Sequence, residues 1–418
     1  MTTAIRAGTL IDGHGKDPVK GAVIVVEGDT ITQIAKEAPR GARVIDASAL
    51  TVMPGMIDCH IHLWFGPSSI QQRLLKPYSL VAAEAFQNAK LTLDHGFTSV
   101  RDAGGTPRGM KMAIEQGIVP GPRLRISVGA LSQTGGHGDS RMPMGIEVRA
   151  EDPEHPRTVV DGVENVRRAT RELLRAGADV IKVHTSGGVM SPNDEPTATG
   201  FAPEEIAAIV YEAHAAGKTV MTHSQALQGI RNSVLAGIES IEHGIYLDEE
   251  TALEMKKRGT YLVATLVAPL WVVRRSEREP GSVPPYAVRK AKEVTLVHKR
   301  MFKMAVELGV PIAMGTDTGV GPHGSNAEEL ALMVEGGMTP MQAIVATTKV
   351  AAACTRIGDL TGTLEPGKRA DLIGVRGDPL TDIAILQKEE CIPLVMKDGV
   401  VAKDQLSALR RREGGSRR

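Results

Sequence analysis

The chain has 418 residues, 42% hydrophobic and 23% charged, an ordinary globular composition with room for a barrel of about 250 residues and a second module. Lysine plus arginine equals aspartate plus glutamate at 49 each, and aromatics are 3%, which argues against a basic nucleic-acid or membrane surface and against base-stacking platforms. Cys59, Cys354 and Cys391 form no CxxC pair or disulfide framework, no apolar run reaches the roughly 18 residues of a membrane span, and the N-terminus lacks a signal layout, so the cytoplasm is the expected location.

Residues 1–50 read as short strands with turn punctuation. Ala22-Val23-Ile24-Val25-Val26 is followed by the turn Glu27-Gly28-Asp29. A similar texture returns at Ala370–Val375 and Pro393–Val401, where Asp398-Gly399 is a hairpin signal. Both ends are therefore expected to form one small β-sandwich domain, from 1–50 and 361–406, around an inserted α/β unit at 51–360. The short basic segment 407–418 is expected to be a flexible tail.

The middle alternates short apolar runs with helical stretches, as repeated βα units do. Eight candidate strands centre on Met56–Asp58, Thr98–Val100, Leu124–Val128, Val180–Val183, Thr219–Thr222, Ser240–Glu242, Tyr261–Ala264 and Pro311–Met314. Helices are expected at 158–176 and 203–216, each stopped by a glycine, Gly177 and Gly217. Eight units predict a closed (β/α)8 TIM barrel. An open doubly wound sheet would more often carry GxGxxG after its first strand, and none is present there.

Barrel chemistry sits at the C-terminal ends of the strands. Strand one ends in Asp58-Cys59-His60-Ile61-His62, and residues two apart share a strand face, so both imidazoles point the same way. Strand four carries Lys182 in an apolar run. It is either paired with a buried acid or a neutral amine that takes up CO₂ to become a carbamate ligand. Strands five, six and eight end at His223, His243 and Asp317. Four histidines, an aspartate and a bridging oxygen ligand suit two Zn²⁺-like ions.

These stretches, with Val52-Met53-Pro54-Gly55-Met56-Ile57 ahead of them and Gly362–Leu372 behind, resemble the amidohydrolase superfamily over essentially the whole chain. The resemblance implies His60, His62 and Asp317 on one metal, His223 and His243 on the other, a carboxylated Lys182 and a bridging hydroxide. Within the superfamily, Thr134–Asp139 and Gly319–Leu330 are similar to the branch of imidazolonepropionase-like barrels and Xaa-Pro (prolidase-type) or Xaa-Arg dipeptidases. Members hydrolyse dipeptides and N-acyl amino acids, some the amide of ochratoxin. The chain departs from many relatives after the strand-five histidine, where His223-Ser224-Gln225-Ala226-Leu227-Gln228 contains no tyrosine.

The resemblance implies attack by the bridging hydroxide on an amide carbon, with Asp317 shuttling the proton. His137, on the strand-three loop, is the candidate for polarising the carbonyl oxygen; a loop histidine beside glycines is the plainer alternative. His184 and His323 are candidate substrate contacts. Trp64, in Leu63–Pro67, is a candidate apolar wall. The polar segment 271–286 reads as a lid whose Arg274 or Arg275 binds a carboxylate, or as a solvated loop. His14, His95, His155, His214 and His298 lie outside strand ends and receive no role. The expected partner is a small molecule, on a homo-oligomer, with neither nucleic acid nor membrane. A deaminase or cyclic-amide hydrolase on the same barrel is the enzymatic alternative, although Gln225 and Gln228 stand where a deaminase often has an acid. A non-catalytic binding barrel would be expected to lose ligands, and none is missing.

Overall fold

The computed structural model of the chain describes residues 2–66, 76–141 and 154–406. The segment 407–418 lies outside the described residues, as does Pro67 at the end of the loop after strand one. The chain opens with β1 (Thr2–Leu10), β2 (Val19–Lys20), β3 (Val23–Glu27), β4 (Thr30–Ala35) and β5 (Arg43–Pro54), and these are joined near the C-terminus by three strands numbered below. In β3, alternation decides the packing. Ile24 and Val26 enter one apolar cluster, and Val23 and Val25 enter another on the opposite face.

The barrel begins with β6 (Met56–Ile61), followed by α1 (Tyr78–Asp94), β7 (Phe97–Asp102), α2 (Arg108–Glu115), β8 (Arg123–Ile126) and β9 (Ala130–Leu131). It continues with α3 (Val163–Arg175), β10 (Val180–His184), α4 (Pro203–Ala215), β11 (Thr219–Ser224), α5 (Leu227–Ala236), β12 (Ser240–His243), α6 (Glu249–Arg258) and β13 (Tyr261–Val263). Helix α3 buries Val166, Ala169, Thr170 and Leu173, one face at helical spacing. It starts later than expected. Gly162, at φ +83°, precedes it, and Val159 is held in a bridge to Ser132. Gly177 and Gly217 stop α3 and α4 in the left-handed conformation that glycine allows.

Two long helices follow, α7 (Val267–Arg278) and α8 (Pro285–Leu308). They replace most of the lid expected at 271–286; only 279–284 lies between them. The apolar spacing of Val267, Ala268, Trp271 and Val272 places one face of α7 in the interior, and the polar residues that suggested a loop lie on the other. Next come α9 (Glu328–Glu335) and α10 (Pro340–Val345), before β14 (Leu372–Val375), β15 (Leu394–Lys397) and β16 (Val400–Asp404).

The terminal strands pair in the order β16-β15-β14-β5-β1-β3-β4, with β2 added to β1. This path folds over itself, since Ile5, Ile24 and Ile31 share one core with Leu372, Leu394 and Met396. The small strand-rich unit is tied to the barrel by Arg123 of β8. Its guanidinium binds Asp371 at 2.6 Å and also pairs with Asp398.

The barrel ladders are parallel, β6-β7-β8 and β9-β10-β11-β12-β13. Asp179 N–H to Ile126 O at 2.7 Å joins the two. The eighth position is residues 311–318, an irregular segment rather than the regular strand expected. It meets β13 through Leu262 N–H to Pro311 O at 2.8 Å and β6 through Cys59 N–H to Met314 O at 2.9 Å. The circuit closes a (β/α)8 barrel. Among the described residues, no helix is long and apolar enough to cross a membrane.

The seam between strands one and eight has backbone bonds and, beside them, a cluster of side-chain bonds centred on Asp58. Its buried carboxylate accepts His60 N–H at 2.9 Å, Thr316 N–H at 3.2 Å, the Thr316 hydroxyl at 2.7 Å and Asn326 Nδ2–H at 2.7 Å. Burial pushes this carboxyl up to about 6, against the pull of those donors. Asp58→Ala leaves His60 N–H and Asn326 Nδ2–H without their acceptor, while Thr316 keeps His60 O for its N–H and Thr318 Oγ1 for its hydroxyl; each buried donor left unpaired costs about 1–3 kcal/mol. The expected result is a stability loss of at least about 2 kcal/mol in urea denaturation, with refolding checked; a loss below about 1 kcal/mol would mean that the seam closes without it.

Candidate active site

Strand ends carry the backbone strain of this barrel. Val128, His243, Thr265 and Asp317 all adopt positive φ, between 54° and 72°. Non-glycine residues avoid that region, and it is concentrated here at the ends of strands three, six, seven and eight. The bends turn side chains toward a cavity of about 520 Å³ above the barrel.

His60, His62, Lys182, His223, His243 and Asp317 all line this cavity, as do His137 and His184. Asp317 Oδ1 lies 3.4 Å from His60 Nε2 and 3.2 Å from His62 Nε2. Donor atoms of His60, His243 and Asp317 fall within 4.8 Å of one another. The rings form a continuous series. His62 is 5.4 Å from His60, His60 is 5.2 Å from His243, His243 is 4.5 Å from His223, and His223 stacks on His137 at 4.1 Å.

Each ring is tied at one nitrogen, which leaves the other for chemistry. His60 Nδ1 meets Glu242 at 2.8 Å, and His62 Nδ1 meets Gly104 O at 3.0 Å. His223 uses Nε2, on Gly187 O at 3.1 Å, so its Nδ1 is left over. His243 Nδ1 is 2.7 Å from Thr265 Oγ1, whose single proton goes to Ala264 O; the hydroxyl therefore accepts Nδ1–H, and His243 Nε2 keeps its lone pair.

Burial keeps most of these rings neutral. It lowers His60 and His137 to about 4, and it drives His184, His223 and His243 well below the usual range, with neighbouring imidazoles adding to the shift. His62 is raised, because the bond to Asp317 and its charge outweigh burial. Asp317 is the converse case: burial opposes ionisation, but His60 and His62 hold it far below the carboxylate range. Lys182 Nζ sits 3.3 Å from His60 Nε2 and makes no ion pair among the described residues. Burial brings it down to about 8, against the pull of Glu242 and Asp317. Neutral imidazoles with free lone pairs, an ionised carboxylate and a readily neutralised amine are the donor types a divalent cation takes, so the residues present fit metal ions.

Several expectations are corrected. Trp64 is not on the cavity wall; it packs against the main core with its ring 6.1 Å from His155, and Phe65 lines the cavity instead. His323 is buried outside the cavity, its Nε2 on Phe65 O at 2.9 Å, and it holds the loop after β6. Arg274 is exposed and paired with Glu328, while the half-buried Arg275 lines the cavity. His155 and His298, given no role above, both line it. Their sequence positions carry no signal, because a loop and the helix α8 bring them there. Glu242 was also missed. It binds His60 and receives Arg101 at 3.0 Å, and a lone acid in the buried run Ser240-Ile241-Glu242-His243 was the available clue.

Comparison with known proteins now bears on this geometry. The profile of the amidohydrolase family matches residues 51–402. The chain belongs to the amidohydrolase family. It is 37% identical to an ochratoxinase of Aspergillus niger, over 96% of this chain and 86% of that protein. A crystal structure of a Xaa-Pro dipeptidase with methionine bound in its active site superposes with a TM-score of 0.89 at 35% identity, covering 96% of this chain and 99% of that one. A prolidase complexed with N-methylphosphonate-L-proline superposes at 0.90 with 33% identity, over 97% of this chain and 100% of that one. This amidohydrolase is a hydrolase acting on carbon–nitrogen bonds of amides.

His323 supplies a test of the electrostatics. Burial lowers it to about 4, so between pH 6.5 and 4 the unfolded chain binds a proton that the folded chain does not. Its contribution therefore falls as pH drops through that window. Urea denaturation at pH 7, 5 and 4 is expected to show a shallower acid decline for His323→Asn than for wild type. Equal slopes would place the charged ring inside the fold.

Proposed function

We propose that this amidohydrolase cleaves the amide bond of a dipeptide or an N-acyl amino acid at a site holding two divalent ions, with Zn²⁺ suited to the donors. One observation carries the reading: Asp317 sits within 3.4 Å of the free nitrogens of His60 and His62, at the floor of a cavity where further neutral imidazoles and Lys182 converge. His60, His62 and Asp317 would hold one ion, and His223 and His243 the other. Lys182 would bridge them as a carbamate, which forms only from the neutral amine that burial favours here. When bound, such a pair polarises a carbonyl and lowers the pKa of a shared water toward neutrality.

The chain's own groups do the rest. Asp317 accepts the proton of the attacking water and returns it to the leaving amine. His137 faces the cavity from the strand-three loop and polarises the carbonyl oxygen from Nε2. Arg275 has no ion-pair partner among the described residues and meets the substrate carboxylate, for which a guanidinium offers two parallel donors. Phe65, Val189, Met190 and Val272 give the same cavity an apolar wall for a side chain. The names of the relatives support an amide with an amino acid on one side.

The test is a screen of L-Xaa-L-Xaa dipeptides and N-acyl amino acids with metal counting on the same protein. Turnover of neither class would overturn the substrate assignment, and one metal per chain the two-ion site. Asp317→Asn is expected to lower kcat by about 10²–10⁴. Wild-type turnover at full metal occupancy would remove Asp317 from the proton path. Arg275→Met is expected to reduce kcat/KM by roughly tenfold or more for substrates with a free carboxylate, as the loss of a hydrogen bond to a charged group does. It should change the matching C-terminal amides little. Equal effects on both would show that Arg275 does not read the carboxylate.

A further inference from the structure

The loop between β10 and α4, residues 185–202, touches two rings of the site. Gly187 O receives His223 Nε2 at 3.1 Å. Ser191 Oγ lies 2.8 Å from His137 Nδ1 and is also bonded to Asp194 Oδ1, which takes Gly188 N–H at 3.1 Å as well. Asp194 Oδ2 is buried without a hydrogen-bond partner among the described residues and lies 3.9 Å from His137 Nδ1. The loop backbone is pressed against both rings: a Cβ at Gly188 would stand 2.3 Å from His137 Cε1 and 2.8 Å from His223 Nε2.

Behind the loop stands Lys290 of α8, 1% exposed. Its ammonium donates to Gly188 O at 3.2 Å, to Ser191 O at 2.8 Å and to Asp194 O, and lies 3.7 Å from Asp194 Oδ1. A buried ammonium is costly unless its protons are satisfied. Here three carbonyls and a carboxylate do so, and they are all on this loop. Helix α8 thereby fixes where Ser191 and Asp194 stand.

A hydroxyl has one proton and two acceptor sites. With its proton on Asp194, Ser191 accepts Nδ1–H, and His137 Nε2 keeps a lone pair. With its proton turned to Nδ1, the ring hydrogen moves to Nε2, where it can donate to a carbonyl oxygen. We propose that Ser191, held by Asp194 and Lys290, is a positioning residue for His137 that fixes its ring plane by holding Nδ1. The proposal rests on the reading that His137 polarises the substrate carbonyl.

The experiment compares Ser191→Ala, His137→Asn and the double variant in metal-replete enzyme, on one substrate turned over by wild type. Removing an orienting partner of this kind costs about tenfold or more in activity. Ser191→Ala is therefore expected to lower kcat by about tenfold, with KM within about twofold and metal content and Tm unchanged. In the His137→Asn background it should add nothing, because the group it positions is gone. Asp194→Asn is the second probe, with the same non-additive loss expected. Wild-type kcat in Ser191→Ala while His137→Asn is impaired would overturn the positioning role, as would losses that multiply in the double variant. Full activity in His137→Asn would instead overturn the carbonyl-polarising reading, and this inference with it.

Discussion

The Asp58 carboxylate braces the seam at which the barrel closes. A closed barrel needs its last strand to meet its first, and here the last is an irregular segment that meets β6 through Cys59 N–H to Met314 O, Thr316 and Asp317 N–H to His60 O, and His62 N–H to Thr318 O. Asp58 adds side-chain contacts to these by taking donors from its own strand, from Thr316 and from Asn326. That places Asp317, one residue beyond Thr316, against the imidazoles of His60 and His62. The same irregularity that weakens the strand lets Asp317 take a positive φ and turn into the cavity. Closure and chemistry are thus solved by one buried group, and its four donors offset the cost of burying a carboxylate.

Around that seam the site is an exercise in keeping histidines uncharged and pointed. Crowded imidazoles in a closed space repel one another once protonated, and burial adds to the penalty, so His223 and His243 stay neutral. Orientation comes from behind: Glu242, Gly104 O, Thr265 and Gly187 O each hold one ring nitrogen. These tethers come from four different βα units. The barrel scaffold is what brings them to one place, and the free nitrogens face inward because the opposite ones are bound.

Outside the metal-type ligands, the cavity is shaped by α7 and α8. They bring Val272, Arg275 and His298 to its wall, and Lys290 to the back of the loop after β10. The strand-end groups suit amide hydrolysis in general, and the helices supply the rest of the cavity wall. No tyrosine follows His223, and Arg275 reaches the same cavity from α7.

The barrel, the small strand-rich unit, five strand-end groups and the buried Lys182 are legible in the residue pattern. Period-two alternation and strand-end position are local properties: His60, His62, His223, His243 and Asp317 announce themselves by lying where strands stop, and Lys182 by standing inside an apolar run. Tertiary structure alone decided the rest. Segment 271–286 has the polar surface of a loop, but its apolar residues fall at helical spacing and find a core to cover, so it folds mainly as helix. Trp64 and Phe65 are neighbours in sequence, yet only packing chose which faces the cavity, and Arg274 and Arg275 were sorted the same way by Glu328. Glu242, Ser191 and Lys290 act on groups far away in the chain, through contacts that no short stretch of sequence contains.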